Sequence, residues 1–343
     1  MRHLDFPNNI QIETTSRCNA SCTFCPYPET SQTEPNGAME DALFESIVDQ
    51  ISRHPLQLVQ PFLNNDPLMD RGILSKLALL KRRLRGTRLS ITTNGALLRA
   101  DVAKELAALD LDTIHISSQG LTPSVVRETM GLDAYTVLRN VNVLLDALKR
   151  RGARTQVIVT AILLDANKDE VAHLRAYWRS RGAWFYLNPL NDRAGNLTER
   201  KYLTLLPFEE TASRSQFRQM NMSGCPALYS FMGILWNGDL ITCCMDWRRA
   251  RVLGNAHDDT LYNLWHGAPY ERLRDMSNAN RLNELPLCHE CGDNRFSIDL
   301  GGLKGLLATQ RGADRDLAVV SLLERLREEP SQLQLGLVRE RHV

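Results

Sequence analysis

The chain has 343 residues, of which 43% are apolar and 24% charged. Those are ordinary globular proportions: they exclude a disordered chain, a coiled coil and a collagen-like fibre, and the length suits one large domain plus a small one. Lys and Arg number 41 against 40 Asp and Glu, so the charge balance gives no reason to expect nucleic acid as a partner. No window reaches about 18 uncharged apolar residues, and MRHLDFPNNI at the start holds no apolar run of signal-peptide length, so neither a membrane span nor secretion is expected. A cytoplasmic location follows as the expectation. Disulfides are rare there, and the eight cysteines call for another role.

Taken in chain order, short runs rich in Ile, Val, Thr and Leu predict strands over Ile10–Thr15, Gln57–Leu63, Arg88–Thr93, Asp112–Ser117, Thr155–Leu164 and Trp184–Asn188. Amphipathic helices are predicted between them. In Met39–His54 the residues Leu43, Phe44, Ile47, Val48 and Ile51 share one face, and Asp70–Arg85, Ala100–Leu109, Tyr135–Arg151 and Lys168–Arg181 read the same way. Six β–α alternations imply parallel strands joined by right-handed crossovers, and six are too few for a closed eightfold barrel. Residues 195–224 are polar without a clean period and read as a linker. Tyr229–Trp236 and Asp239–Cys243 flank Asn237-Gly238, a strong hairpin signal. Leu261–Ser277 reads as helix, Pro286–Asp293 as a tight loop bearing cysteines, and Leu317–Arg327 as an amphipathic helix. The expected fold is therefore α/β: a partial (β/α)6 TIM-like barrel over residues 1–200 and a linker over 201–224. A small α+β domain over 225–300 and a C-terminal helix and tail over 301–343 complete it.

Cys18-Asn-Ala-Ser-Cys22-Thr-Phe-Cys25 follows the first strand, at the end where such folds place their chemistry. Three thiolates in eight residues can wrap one metal centre. Structural zinc wants four ligands, whereas three suit a four-iron cluster with one iron left open. The spacing Cys-x3-Cys-x-aromatic-Cys resembles the radical S-adenosylmethionine (SAM) superfamily, from about Ile10 to Asn196. The resemblance implies that Cys18, Cys22 and Cys25 hold a 4Fe–4S cluster whose open iron chelates SAM, and that Phe24 lies against the adenine. Asn64-Asn65-Asp66-Pro67 stands where the family often carries Gly-Gly-Glu-Pro to hold the SAM amino group; two Asn replace two Gly and Asp is shorter than Glu by a methylene. Thr92 and Asn94 close the third strand, Ser117 and Ser118 the fourth, and Thr160 lies on the fifth; the resemblance makes each a cofactor contact.

The remaining cysteines are Cys225, Cys243, Cys244, Cys288 and Cys291. A tetrathiolate drawn from separated segments can staple a small domain with little core, and spacing alone leaves zinc and iron–sulfur both open. Cys-x12-Gly-x4-Cys, the hairpin and Leu264-Trp265 resemble the SPASM/twitch extension of radical SAM enzymes. No cysteine follows Cys291, as in the shorter form, which implies one auxiliary 4Fe–4S cluster held by Cys225, Cys243, Cys288 and Cys291. Cys244 is the odd one: alternation along a strand would turn it away from the group that Cys243 joins, as a small buried hydrophobe or as a hydrogen-atom donor to a substrate radical. The run Arg248-Arg249-Ala250-Arg251 offers cations to an acidic group, and Arg193, after the sixth strand, is a candidate for binding substrate or assisting a proton acceptor.

With about nine residues ahead of the first strand, no peptide-recognition domain is expected there. The favoured expectation is hydrogen abstraction from a carbinol carbon of a sugar, aminocyclitol or nucleoside in natural-product biosynthesis, giving dehydrogenation. A reducing partner such as flavodoxin or ferredoxin is expected with it. Epimerisation through Cys244, radical decarboxylation of a sugar acid, ribosomal-peptide maturation and a non-enzymatic metal scaffold stay open as alternatives.

Overall fold

Six parallel strands form first: β1 (Asn9–Ile12), β2 (Leu58–Gln60), β3 (Arg88–Thr93), β4 (Thr113–Ser117), β5 (Gln156–Ile162) and β6 (Trp184–Asn188). They lie side by side in sequence order, each parallel to the next. The structure is a computed structural model and describes residues 3–188, 193–197, 225, 227–289 and 291. All six strands fall where the sequence places them: β3 and β6 match, β2, β4 and β5 are shorter, and β1 starts one residue earlier and ends three sooner.

The alternation along each strand decides what faces what. Ile10, Ile12, Val59, Leu89, Ile91, Ile114, Ile116, Val157, Val159 and Phe185 are buried in one core. The helices supply the other half of that core. In α2 (Asp41–Ile51) the stripe Leu43, Phe44, Ile47, Val48 and Ile51 is fully packed. The helices α3 (Ile73–Arg83), α4 (Ala100–Leu109), α6 (Ala134–Arg151) and α7 (Val171–Ser180) repeat the pattern. The intervening strand residues Gln11, Gln60, Thr92, His115, Ser117 and Thr160 lie on the opposite, concave face and keep part of their surface open. A closed barrel fills this lumen with branched apolar side chains; here these polar side chains share it with Ile158, Ile162, Trp184 and Tyr186 and it stays half-open.

Two short helices were not legible in the sequence: α1 (Tyr27–Thr33), right after the cysteine loop, and α5 (Pro123–Met130), which starts on a proline and ends on left-handed Gly131.

The C-terminal part continues the same sheet. After α8 (Ala227–Ser230), β7 (Phe231–Ile234) pairs parallel to β1, and β8 (Asp239–Ile241) and β9 (Val252–Asn255) add antiparallel, for the order β6-β5-β4-β3-β2-β1-β7-β8-β9. The β7–β8 turn sits on Asn237-Gly238, with Gly238 at φ 87°, as the hairpin signal requires; β9 was not anticipated. The single helix expected over Leu261–Ser277 is two, α9 (Leu261–Trp265) and α10 (Ala268–Asn278). Gly267 between them is extended and Pro269 opens the second, where a missing N–H costs nothing. Pro286–His289, expected as loop, is a short helix, α11. The expected helix Leu317–Arg327 and most of the expected linker lie outside the described residues. No helix among the described residues is long and apolar enough to cross a membrane.

One close approach ties the C-terminal hairpin to the barrel. A Cβ built on Gly37, in the loop before α2, would stand 2.3 Å from the Trp236 ring at the β7–β8 turn. Gly37→Ala is therefore expected to lower stability by about 1–3 kcal/mol, the usual cost of overpacking. Gly72→Ala, whose new methyl would meet atoms no nearer than 3.4 Å, is the control. Equal melting temperatures of the two variants would show that the Trp236 contact is not tight.

Candidate active site

Where β1 ends, Thr14 and Thr15 tie the chain to the loop before α2 through the bonds Met39 N to Thr14 O (2.9 Å) and Thr15 Oγ1 to Gly37 O (3.0 Å). The cysteine loop follows and is held to the end of α5: Ser21 N donates to Met130 O and Thr23 N to Thr129 O, both at 3.0 Å. Burial pushes the Cys18 thiol up to about 12, and Asp66 and Cys25 add to it. Cys22 is pushed well up by burial and then by Cys25 and Cys18. Cys25 is raised by burial, with the Arg193 cation opposing. The thiols thus converge closely enough for each ionised sulfur to repel another. Such a group ionises together only around a cation, and three sulfurs without a fourth suit a cluster with an open coordination position.

Asp66 holds the loops around this group together. Its Oδ1 accepts from Leu68 N (3.0 Å), its Oδ2 from Asn94 N (2.8 Å), and the Thr93 hydroxyl donates to both oxygens (3.0 and 2.9 Å). At 2% exposure the carboxylate is spent on this clamp. In this structure Asp66 braces the loops that frame the thiols. Asn94 leans on the cysteine loop, its Nδ2 donating to Asn19 Oδ1 at 2.8 Å and lying 3.9 Å from Cys18 Sγ. Asn65 Oδ1 accepts from Leu63 N at 2.9 Å, while its buried Nδ2 has no partner among the described residues. Asn64, half-buried, borders a small cavity of about 20 Å³ with Glu13, Tyr27, Trp247 and Arg249, room for a water molecule.

Thr92, Ser117 and Thr160 all face the lumen, with Ser117 and Thr160 opposite each other in register. Ser118 lies just beyond β4 and is buried, and its hydroxyl has no partner among the described residues. Phe24 is packed into the main core at 8% exposure, so its ring does not stand open on the lumen.

The second thiol group assembles from three segments. Cys225 N donates to Ser277 Oγ of α10 at 3.2 Å. The Cys243 thiol is pushed well up by burial, then by Cys244, Cys225 and Cys291. Cys288 is pushed up to about 12 by burial and then by Cys225, with Arg251 opposing. Cys244 does not turn away as strand alternation suggested: β8 has ended at Ile241, and both Cys243 and Cys244 pack against Leu63, Phe231, Leu235 and Ile241 on one side and Ala194, Met245 and Cys291 on the other.

The turn 193–197 touches both thiol groups. Arg193 acts on Cys25; Ala194 packs with Met245 and Cys291; Asn196 Nδ2 donates to Arg193 O at 2.6 Å and to Met245 O at 3.1 Å. Arg193, Ala194 and Gly195 are all left-handed, at φ 53°, 56° and 78°. The basic run also finds its acids: Arg248 meets Glu29 at 2.5 Å and Arg249 meets Glu13 at 3.8 Å.

A polar half-barrel with three thiols at its mouth and a second thiol group beside them has known counterparts. Residues 12–177 match the radical SAM superfamily, and residues 225–292 match the iron–sulfur cluster-binding SPASM domain. The chain belongs to the radical SAM superfamily. Its cofactors are accordingly SAM with a 4Fe–4S cluster, and auxiliary iron–sulfur. The GTP 3′,8-cyclase of Streptomyces coelicolor is 29% identical over 176 residues, so that the chain spans about half (49%) of that relative's length. The S-adenosyl-L-methionine-dependent 2-deoxy-scyllo-inosamine dehydrogenase of Niallia circulans is 21% identical over 285 residues, 83% of this chain and 92% of that one. Among solved structures, BtrN in complex with AdoMet and 2-DOIA shares the fold at TM-score 0.57 and 18% identity, covering 85% of this chain and 94% of that one. Streptococcus suis SuiB bound to precursor peptide SuiA does so at TM-score 0.62 and 19% identity, covering 78% and 66%.

Glu13 is the residue of this radical SAM site that sequence reasoning missed; only its place at the end of β1 could have pointed to it. It is 1% exposed, and burial pushes its carboxyl up to about 7 from an ordinary 4.5, against the pull of Arg249 and the backbone N–H groups of Trp236 and Asn64. A folded-state value raised in this way contributes stability below about 4.5 that is lost as pH climbs through about 7. Glu13→Gln should gain in melting temperature relative to wild type across that interval and no further above it. Parallel curves for the two proteins would remove Glu13 as the titrating group.

Proposed function

We propose that this enzyme is a radical SAM dehydrogenase that oxidises a carbinol carbon of a small polar substrate, of sugar, aminocyclitol or nucleoside type, in natural-product biosynthesis. The observation that carries the reading is extent: the dehydrogenase relative aligns with nearly its whole length, whereas the cyclase aligns over half of its own. The single tetrathiolate supports it, since loss of a hydrogen atom leaves a substrate radical that must still give up one electron and one proton to become a ketone.

In this reading Cys18, Cys22 and Cys25 hold the SAM cluster, and Cys225, Cys243, Cys288 and Cys291 hold one auxiliary cluster with no ligand missing. When bound, these groups supply a 5′-deoxyadenosyl radical and an acceptor for the second electron. The chain's own residues do the rest. Thr92, Ser117 and Thr160 line the lumen with hydroxyls that orient cofactor and substrate, and Asn64 and Asn65 offer amide groups at its rim. Arg193, beside Cys25, is assigned to substrate. Leu63, Cys243 and Cys244 lie over the β7 side of the lumen and exclude water from the reacting carbon. Domain limits of 1–200 and 225–300 fit these roles, with flavodoxin or ferredoxin as the electron donor.

One observation favours a second reading. Cys244 packs against the apolar cluster that includes Leu63 as well as the one that includes Cys291, which suits a thiol returning hydrogen to a substrate radical, as in an epimerase. The test compares anaerobically reconstituted wild type with the Cys18/Cys22/Cys25→Ala variant. About eight irons against about four, with dithionite-dependent 5′-deoxyadenosine from wild type alone, is the expected result. Product analysis with sugars and aminocyclitols then separates the readings: a ketone formed with one 5′-deoxyadenosine per turnover supports dehydrogenation. An inverted centre carrying solvent deuterium, lost in Cys244→Ala, supports epimerisation instead. About four irons in wild type, all lost in the triple variant, would end the dehydrogenase reading.

A further inference from the structure

The segment ahead of β1 meets α9 and α10. Trp265 Nε1 donates to Leu4 O at 2.9 Å, and Leu4 N donates to Tyr229 O at 3.1 Å. This brings His3 beside His266, with ring centroids 5.4 Å apart, and places His3 Nε2 3.9 Å from Glu271 Oε1. One ligand atom from each of His3, His266 and Glu271 lies within 4.8 Å of the others. We propose that these three side chains form a binding site for one borderline divalent transition metal of the Zn²⁺ class, joining the segment before β1 to the C-terminal helices.

The donor set is two imidazoles and one carboxylate, the combination zinc takes with a solvent molecule in the fourth position. The surroundings do what ligand-supporting groups do: they fix the outer atoms so that the inner ones face the metal. His266 Nε2 lies 2.8 Å from the Asp5 carbonyl oxygen. Donation there makes Nε2 the protonated nitrogen and leaves the lone pair on Nδ1. Glu271 Oε1, the oxygen nearest His3 Nε2, accepts from Arg274 Nη1 at 2.5 Å, which holds the carboxylate in place. Arg274 is itself fixed: it is 2% exposed, its guanidinium lies 4.2 Å from the Trp265 ring centre, and it donates to Leu228 O and Trp265 O. All three ligands are half-exposed, so a metal can enter without unfolding. None of them belongs to either cysteine group.

The experiment uses the holoenzyme with its clusters assembled, so that the cysteines are occupied, after removal of loose metal on chelating resin. Co²⁺ is titrated anaerobically and read by its visible d–d absorption and the near-ultraviolet region where sulfur-to-cobalt charge transfer appears; Zn²⁺ is read by melting temperature. The expected result is one equivalent of Co²⁺ with nitrogen and oxygen ligation and no sulfur band, and a melting temperature that rises with Zn²⁺. His266→Ala and Glu271→Gln should each weaken binding by about tenfold or more and abolish the Zn²⁺ shift, with cluster absorbance and SAM cleavage unchanged. His3→Ala, which alters neither helix, repeats the test should either of those variants be poorly folded. Absence of the extra equivalent in wild type, a sulfur band, or equal binding by the His3→Ala variant would each overturn the proposal.

Discussion

Everything in this protein hangs on a four-residue strand that is paired on both sides. β1 bonds to β2 along one edge and to β7 along the other, parallel in both cases. Parallel pairing fixes direction, so the chain leaving β1 toward the cysteine loop and the chain leaving β7 toward the hairpin turn emerge at the same end of the sheet. Glu13 N donates to Ile234 O at 2.8 Å and Trp236 N reaches Glu13 Oε2 at 3.5 Å. The C-terminal part is thus an extension of the barrel sheet rather than a module on a tether. Its hairpin, its arginines and its cysteines take their places from β1.

The same constraint sets the chemistry of the lumen. Register places Phe231 and Gly233 level with Asn9 and Gln11, so β7 carries the concave face one strand further. Across β3 and β4 that face is polar, β5 and β6 add Ile158, Ile162, Trp184 and Tyr186 beside Thr160 and Asn188, and across β7 it is apolar and lies against Leu63 and Ile241. A cavity whose one wall offers hydroxyls and whose other wall is dry suits a reaction that orients a polar molecule and then protects a radical from water. The mouth is held by the Asp66 clamp. Three donors converge on one buried carboxylate, which costs desolvation but leaves none of them orphaned. Removing it would strand all three, and a buried unpaired donor costs about 1–3 kcal/mol.

Much of this was legible in the sequence, and the failures have physical causes. The six strands and their helices read correctly because their periodicities are strong and uninterrupted. The cysteines fall into the two spatial groups that their positions in the chain suggested, one on a single loop and one drawn from three segments. Asp66 was singled out by its place in a motif; that its carboxylate braces Leu68, Thr93 and Asn94 depends on loops the motif does not describe. Ser117 keeps part of its surface open on the lumen while Ser118, the first residue past β4, is buried, a difference the motif view of the pair did not carry. Cys244 failed because alternation was applied two residues beyond the point where β8 stops. Glu13 carries no motif. Its burial arises from Trp236 and Arg249, more than two hundred residues away in the chain, and no local pattern encodes that.

The turn at 193–197 shows how the two thiol groups depend on each other. A left-handed conformation costs a non-glycine residue about 1–2 kcal/mol, and Arg193 and Ala194 adopt it in succession. Such strain persists only where the surroundings over-determine it. The determinants come from both sides: Cys25 lies by Arg193, while Met245 and Cys291 enclose Ala194 and Met245 O anchors Asn196. Each thiol group ionises only when a cation occupies it, and its charge then acts on a turn the other group also grips. Filling one centre therefore helps hold the backbone that frames the second, so the two thiol groups are coupled through one short turn.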